Sequence, residues 1–366
     1  MRHYLDANAS EPIRPAAREA ALAALARAGN PASVHADGRA ARRLLEDARE
    51  TLAARFGAKP GNVVFTSGAT EANALALHAL GARRATILSA VEHDSLRAAT
   101  PDALSLRVDG EGVADLAALA ATLAACGPAL VCLMLANNET GVLQPVAEAA
   151  ALCRRHGALL HVDAVQAAGR CPIDLAALGA HSLALSSHKL GGPLGAGALL
   201  LARDAPAGPF PLIAGGGQER GWRGGTPALP SIVGFAAAAR AEPAGHLAPL
   251  RDAIEATARA AGAIVCGAGA ARLPNTACLA MPGVRADAQV IALDLDGIAV
   301  SAGAACSSGK VAPSHVLAAM GLGALAGQAI RVSLPWNASP ADAASFATAY
   351  PRMAARLRAA LAPRAA

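Results

Sequence analysis

The 366-residue chain carries 32 basic residues, and only three of them are lysines: Lys59, Lys189 and Lys310. Arginine serves for surface charge and for gripping anions, but its guanidinium cannot be deprotonated, so a reaction that needs a neutral amine must use lysine. Lys189 stands at the end of "LALSSHKLGG", an apolar run that leads into glycine. Asp163 ends a second apolar run, "LLHVD". A carboxylate there needs a cationic partner or hydrogen-bond donors, because desolvation otherwise drives it to the neutral form. In "FTSGATEAN" a β run passes through small residues into a helix that starts near Thr70. Free N–H groups and the dipole at a helix start attract an anion, and a hydroxyl adds a bond. Pyridoxal phosphate requires an amine, an acid facing its ring nitrogen, an anion site and something stacked on its ring. Lys189, Asp163 and the Thr70 turn supply three of these, Ser186 and His188 are further phosphate donors, and His93 in "VEHDS" is a candidate for the stacking partner.

Each residue also has a plainer reading. Ser67 or Thr70 could simply cap the helix, Asp163 could cap the next one, and Lys189 could be a structural lysine with a solvated head. His161 and Asp163 share a strand face, as a metal pair would, but no third ligand follows at useful spacing, so no metal is expected. Cys306 lies among small and polar residues in "SAGAACSSGKVAPSH", with Lys310 close enough to favour its thiolate, whereas cysteines such as Cys132 in "LVCLML" read as core. It is either a reactive thiol on an accessible loop or an incidental exposed cysteine. "GAACSSGK" has the wrong spacing for a phosphate-binding P-loop, and "AGGGQERGWRGGT" follows no strand as a dinucleotide fingerprint would. Arg331 in the β-like "AIRVSLP" needs an anion, which a substrate carboxylate or an internal salt bridge would supply.

The elements that must position these groups alternate. "NVVFTSG", "ATILSAVEH", "PALVCLMLANN", "GALLHVDAVQ", "LALSSHK" and "GAGALLLA" read as strands separated by helical stretches. That pitch predicts an α/β fold with a doubly wound, mostly parallel sheet, in which ligands bind beyond the carboxyl ends of the strands. Thr70, His93, Asn138, Asp163 with Gln166, and Ser186 with His188 and Lys189 all fall at those ends. A large domain is expected over 12–245 and a smaller α+β domain over 246–366, joined by segment 1–11. The net charge of +5 comes with acids beside the bases, and aromatics make up 2% of the chain, which argues against nucleic-acid binding. Apolar stretches are too short to cross a bilayer, and the start lacks the apolar core of a secretion signal, so a cytoplasmic protein with no membrane partner is expected. Seven cysteines without a Cys-x-x-Cys pair fit neither a disulfide framework nor a zinc site.

In order along the chain, "YLDANAS", "NPASVHADG", "FTSGATEAN", "EHDS", "NNETGVLQPV", "HVDAVQAAG", "SSHKLGGPLGAG", "GGGQERGWRGGT", "SAGAACSS" and "IRVSL" resemble the cysteine desulfurases. These belong to the class V aminotransferase group of fold-type I pyridoxal-phosphate enzymes. The resemblance implies that Lys189 bonds the cofactor's aldehyde, Asp163 pairs its ring nitrogen, and Gln166 meets its phenolic oxygen. It implies that His93 stacks on the ring and moves protons, and that Ala69, Thr70, Ser186 and His188 hold the phosphate. Thr226 would complete that site from the second subunit of a homodimer. Asn138 and Arg331 would hold the carboxylate of L-cysteine, and Cys306 would take its sulfur as a persulfide for a protein acceptor or iron–sulfur scaffold. The chain departs from the usual pattern at "ANASEP", "SAGAAC" and "GGPLG", none of which removes a catalytic group, and it lacks the longer tail by which some relatives dock a scaffold. A selenocysteine lyase, a class V aminotransferase and a sulfur-carrier protein without turnover are the alternatives.

Overall fold

The computed structural model describes residues 2–205, 211–305 and 311–361. Its main sheet has seven strands: β1 (Val63–Thr66), β2 (Ala85–Ser89), β3 (Leu104–Leu106), β4 (Ala129–Cys132), β5 (Leu159–Asp163), β6 (Ser182–Ser186) and β7 (Gly197–Leu201). They lie in the order β1-β7-β6-β5-β4-β2-β3. All neighbours are parallel except β7, which runs antiparallel to both β1 and β6. Every residue of β4 to β7 is buried, because helices cover both faces, and these strands are accordingly near-continuous apolar runs.

The two faces are filled by alternating residues. Leu183, Leu185, Ala198 and Leu200 join a core with Leu45, Leu52 and Phe56 of helix α1 (Ala36–Phe56). Ala184, Leu199 and Val64 point the other way, onto Ala72, Leu75 and Ala76 of helix α2 (Ala69–Leu80). Burying a leucine such as Leu52 contributes about 1.5–3 kcal/mol, and cutting it to alanine costs about 2–5 kcal/mol. Gly197 opens β7 because a Cβ there would come within 2.5 Å of the Gly68 backbone. The glycine lets the turn before α2 lie directly against the sheet.

A second, antiparallel sheet holds β8 (Ile264–Cys266), β9 (Thr276–Ala280), β10 (Ser301–Ala302) and β11 (Ala329–Ser333), in the order β10-β11-β9-β8. Helices Ala248–Ala260 and Pro340–Leu361 share its core. The N-terminal segment ties the two sheets together. His3–Tyr4 pairs with Ile298–Ala299, Leu5 enters the smaller core, and the Asn8 N–H donates to Ser333 Oγ at 3.0 Å. From Asn8 the chain passes directly beside Lys189. Among the described residues no helix is long and apolar enough to cross a membrane.

Candidate active site

The carboxyl ends of β1, β2, β4, β5 and β6 surround a cavity of about 330 Å³. Ala69 and Thr70 line it from α2, and His93 and Asn138 from the segments after β2 and β4. Asp163 and Gln166 come from β5 and the turn beyond it, and Ser186, His188 and Lys189 from β6 and its short 3-10 turn. Helix α2 begins at Gly68 with no side-chain cap. Ser67 does not cap it either: its N–H and Oγ donate to Glu71 Oε2 at 2.9 and 2.6 Å, and Arg223 holds the other Glu71 oxygen at 2.8 Å. The first turn of α2 therefore faces the cavity with its N–H groups uncapped, beside the exposed Thr70.

The Lys189 amine donates to the carbonyls of Asn8 at 2.5 Å and Ala9 at 3.0 Å. Its pKa falls from 10.5 to about 7, chiefly through burial and then through the charges of Arg331 and Arg170, with Asp6 and Asp163 opposing. A lysine held this way has a substantial neutral fraction near neutral pH. His188 drops to about 4 through burial and the neighbouring Lys189, so its ring is uncharged.

Asp163 is oriented by its neighbours. Its Oδ2 accepts from Asn73 Nδ2 at 2.8 Å and its Oδ1 from the Val165 N–H at 3.0 Å. Asn73, on α2, faces His161 Nε2 with its Oδ1 at 2.9 Å, and His161 Nδ1 meets Ser182 Oγ at 2.7 Å. Burial lowers His161 to about 4, so the ring is neutral and donates from Nε2 to Asn73. Both nitrogens of His161 are thereby engaged within the protein. Among the described residues no cluster of three His, Cys, Asp or Glu side chains is placed for a metal. Asn73 also donates to Ser95 Oγ at 2.9 Å, and Ser95 in turn fixes His93, whose Nδ1 accepts the Ser95 N–H at 3.1 Å. With Nδ1 accepting, a neutral His93 carries its proton on Nε2.

Gln166 donates from Nε2 to the Asn8 carbonyl at 3.1 Å. Arg331 on β11 does not itself line the cavity; it forms the internal salt bridge, Nη2 to Asp6 Oδ1 at 2.8 Å, and its Nη1 donates to the carbonyl of Asn138, which does line it, at 3.2 Å. Among the described residues, Arg331 Nε and Asn138 Oδ1 are nevertheless buried without a partner. Thr226 is exposed and does not line this cavity. Cys306 lies outside the described residues, as does Lys310. Ala304–Ala305 and Val311–Ala312, which flank them in sequence, pair antiparallel.

The sequence reading missed several neighbours. Asn73 and Asn8 both lay in quoted motifs, and Asn73 falls three residues after Thr70, one turn further along α2. Glu92 directly precedes His93. It is fully buried, one oxygen accepts the Met134 N–H at 2.6 Å, and the other has no partner among the described residues. Burial, with Asp163 adding, raises its pKa well above the usual carboxylate value.

This fold and rim place the protein in a class: residues 3–346 match the family described as aminotransferase class-V, and the chain belongs to it. Within that class it belongs with the cysteine desulfurases. It is 38% identical to an IscS-like cysteine desulfurase of Mycobacterium tuberculosis, covering 97% of each chain. It is 42% identical to a cysteine desulfurase of Cereibacter sphaeroides, covering 98% of this chain and 97% of the other. Among solved structures, a NifS-like protein of Rickettsia africae superposes with a TM-score of 0.90 at 32% identity, over 96% of this chain and 99% of that one. SspA solved in complex with cysteine matches with a TM-score of 0.80 at 29% identity, over 91% and 99%.

Proposed function

We propose that the protein is a homodimeric, pyridoxal-phosphate-dependent cysteine desulfurase. L-cysteine and the Cys306 thiol give L-alanine and a Cys306 persulfide: the substrate's C–S bond breaks, an S–S bond forms, and the carbon that loses sulfur gains a proton. The terminal sulfur then passes to a protein acceptor such as an iron–sulfur scaffold. The observation that carries this reading is the convergence of a buried amine, a hydrogen-bonded carboxylate and an uncapped helix start on one cavity. A bound SspA relative was solved with cysteine itself.

The donor set fits the cofactor. Lys189 would bond its aldehyde, Asp163 would pair its ring nitrogen, and Gln166 would donate to its phenolic oxygen. Ala69, Thr70, Ser186 and His188 would hold its phosphate, joined by Thr226 of a second copy. When bound, the group withdraws electrons from the substrate's α-carbon. This chain's residues do the rest. His93 would stack on the ring and move protons through Nε2, and Lys189, near its midpoint at neutral pH, would accept and return one at the α-carbon. Arg331 and Asn138 would grip the substrate carboxylate, with the spare Arg331 Nε as one donor. Cys306 would attack as thiolate. The division of the chain near residue 245 and a cytoplasmic location belong to the same reading.

Incubation of the purified protein with L-cysteine, followed by quantification of alanine and of sulfane sulfur on the Cys306 peptide, tests this. Equal amounts of both are expected at first turnover. Alanine with no sulfur on Cys306, or full activity in Cys306→Ala, would instead favour another class V reaction. Faster turnover of L-selenocysteine would move the assignment to a lyase.

A further inference from the structure

Beneath the cavity floor lies a buried ion pair that none of the roles above uses. Arg170 and Glu11 are 159 residues apart, both almost wholly buried, and joined at 3.0 Å from Arg170 Nη2 to Glu11 Oε2. The same Nη2 donates to the Ala7 carbonyl at 3.3 Å. Arg170 Nη1 donates to both oxygens of Gln166, the backbone carbonyl at 2.9 Å and the side-chain Oε1. Glu11 accepts the Trp336 N–H at 2.5 Å on its other oxygen, and its own N–H donates to the His188 carbonyl at 2.9 Å. The pair therefore braces the residue before Lys189 on one side and Gln166 on the other.

We propose that Arg170, held in place by Glu11, is a positioning residue: it takes up the Gln166 amide oxygen so that the amide NH2 group faces the cofactor's phenolic oxygen, and it keeps a fixed positive charge beside the Lys189 amine. The inference rests on the cofactor assignment above. An arginine side chain has donors only, so it must meet Gln166 Oε1. The Asn8 carbonyl can only accept, so it must meet Nε2. Turning the amide over would oppose donor to donor at one end and acceptor to acceptor at the other. The Asn8 carbonyl accepts from Lys189 Nζ as well as from Gln166 Nε2. The amine that would bond the aldehyde and the amide that would serve its ortho oxygen thus share one acceptor. An amide carbonyl turned toward that oxygen would repel its negative charge, whereas the NH2 group stabilises it.

The charge effect follows the same geometry. Lys189 is faced by Arg331 from β11, Arg170 from the turn after β5, Asp163 from β5 and Asp6 from the N-terminal segment, with the uncharged His188 beside it. Arg170 and Arg331 both favour the neutral amine. Burial lowers the pKa of Arg170 and raises that of Glu11, and each partner opposes the shift of the other. Buried ion pairs of this kind contribute little net stability compared with apolar packing, which leaves orientation and charge as what this one adds.

The scarcity of lysine gives a clean test. Cofactor-free protein is labelled with limiting acetic anhydride across a pH series, and peptides containing Lys59, Lys189 and Lys310 are quantified by mass spectrometry. Labelling at Lys189 is expected to rise as pH passes about 7 in the wild type. In the charge-neutral double variant Arg170→Gln with Glu11→Gln, the midpoint should move up by about one pH unit. Added pyridoxal phosphate should bind that variant about tenfold more weakly by equilibrium dialysis, the size of one lost hydrogen bond. A folded double variant with an unchanged Lys189 midpoint and unchanged cofactor affinity would overturn the proposal. A merely structural role would lower the melting temperature and leave the midpoint alone. Arg170→Lys keeps the charge and loses the fork, so it should keep the midpoint and weaken cofactor binding, and wild-type affinity there would overturn the amide half. Failure of the wild type to bind cofactor at all would sink the functional assignment, a result separate from the labelling curve.

Discussion

At the end of β5 both oxygens of Asp163 have partners, whereas Arg331 Nε and Asn138 Oδ1 are buried with no partner among the described residues. Leaving such an atom unpaired costs about 1–3 kcal/mol, a cost that persists in native proteins where something else completes the bond. Asp163 is fully hydrogen-bonded before anything enters, as suits a residue that faces a resident molecule. Arg331 and Asn138 keep spare hydrogen-bonding capacity among the described residues, as suits a molecule that comes and goes.

That contrast can be broken by substitution. Lys189→Ala should have the largest effect, lowering turnover by about 10²–10⁴-fold or more, the range for losing a positioned proton-transfer group. Asp163→Asn should lower kcat by about 10²–10³-fold while leaving KM for cysteine nearly unchanged, because its carboxylate is already held by Asn73 and Val165 and does not grip the substrate. Arg331→Lys should do the reverse, raising KM by about tenfold or more with a smaller change in kcat, since an ammonium cannot reproduce the guanidinium fork. Steady-state kinetics on the three variants would separate the two sides, and a kcat-only loss at Arg331 would erase the distinction. Asn73→Ala leaves Asp163 and His161 each short of a partner and should destabilise the fold by about 1–3 kcal/mol in denaturant titration.

The smallest effect concerns pH and stability. The native Lys189 amine titrates near 7, while in the unfolded chain it would hold its proton to the ordinary value of 10.5. Between those values the unfolded state binds more protons, so this group's contribution makes the cofactor-free protein more stable as pH rises. Lys189→Met should flatten that slope in melts from pH 7 to 9, and an unchanged slope would show that the amine is not held neutral.

The two sides also differed in how much could be read from residues alone. Lys189 stood out because the chain otherwise uses arginine, and Asp163 because a carboxylate ended an apolar run. Strand ends are visible in sequence, so the convergence of five of them on one rim was legible. What sits behind that rim was not. The Arg170–Glu11 pair links residues 159 positions apart, and the distance between them exists only after folding. The antiparallel direction of β7 left no mark, because a strand buried on both faces reads the same in either direction. Asn73 looked like any polar residue on a helix, and Glu92 gave no sign that burial would push its pKa up. Nor was it legible that Arg331 would form its salt bridge to Asp6 and keep an Nε with no partner among the described residues.

The central claim is that the amine of Lys189 bonds the cofactor. Treating the pyridoxal-phosphate-loaded protein with borohydride fixes that bond, and digestion shows which of the three lysine peptides carries the added mass. The account predicts one adduct per chain, on the Lys189 peptide. An adduct on Lys59 or Lys310 alone, or none, would contradict it.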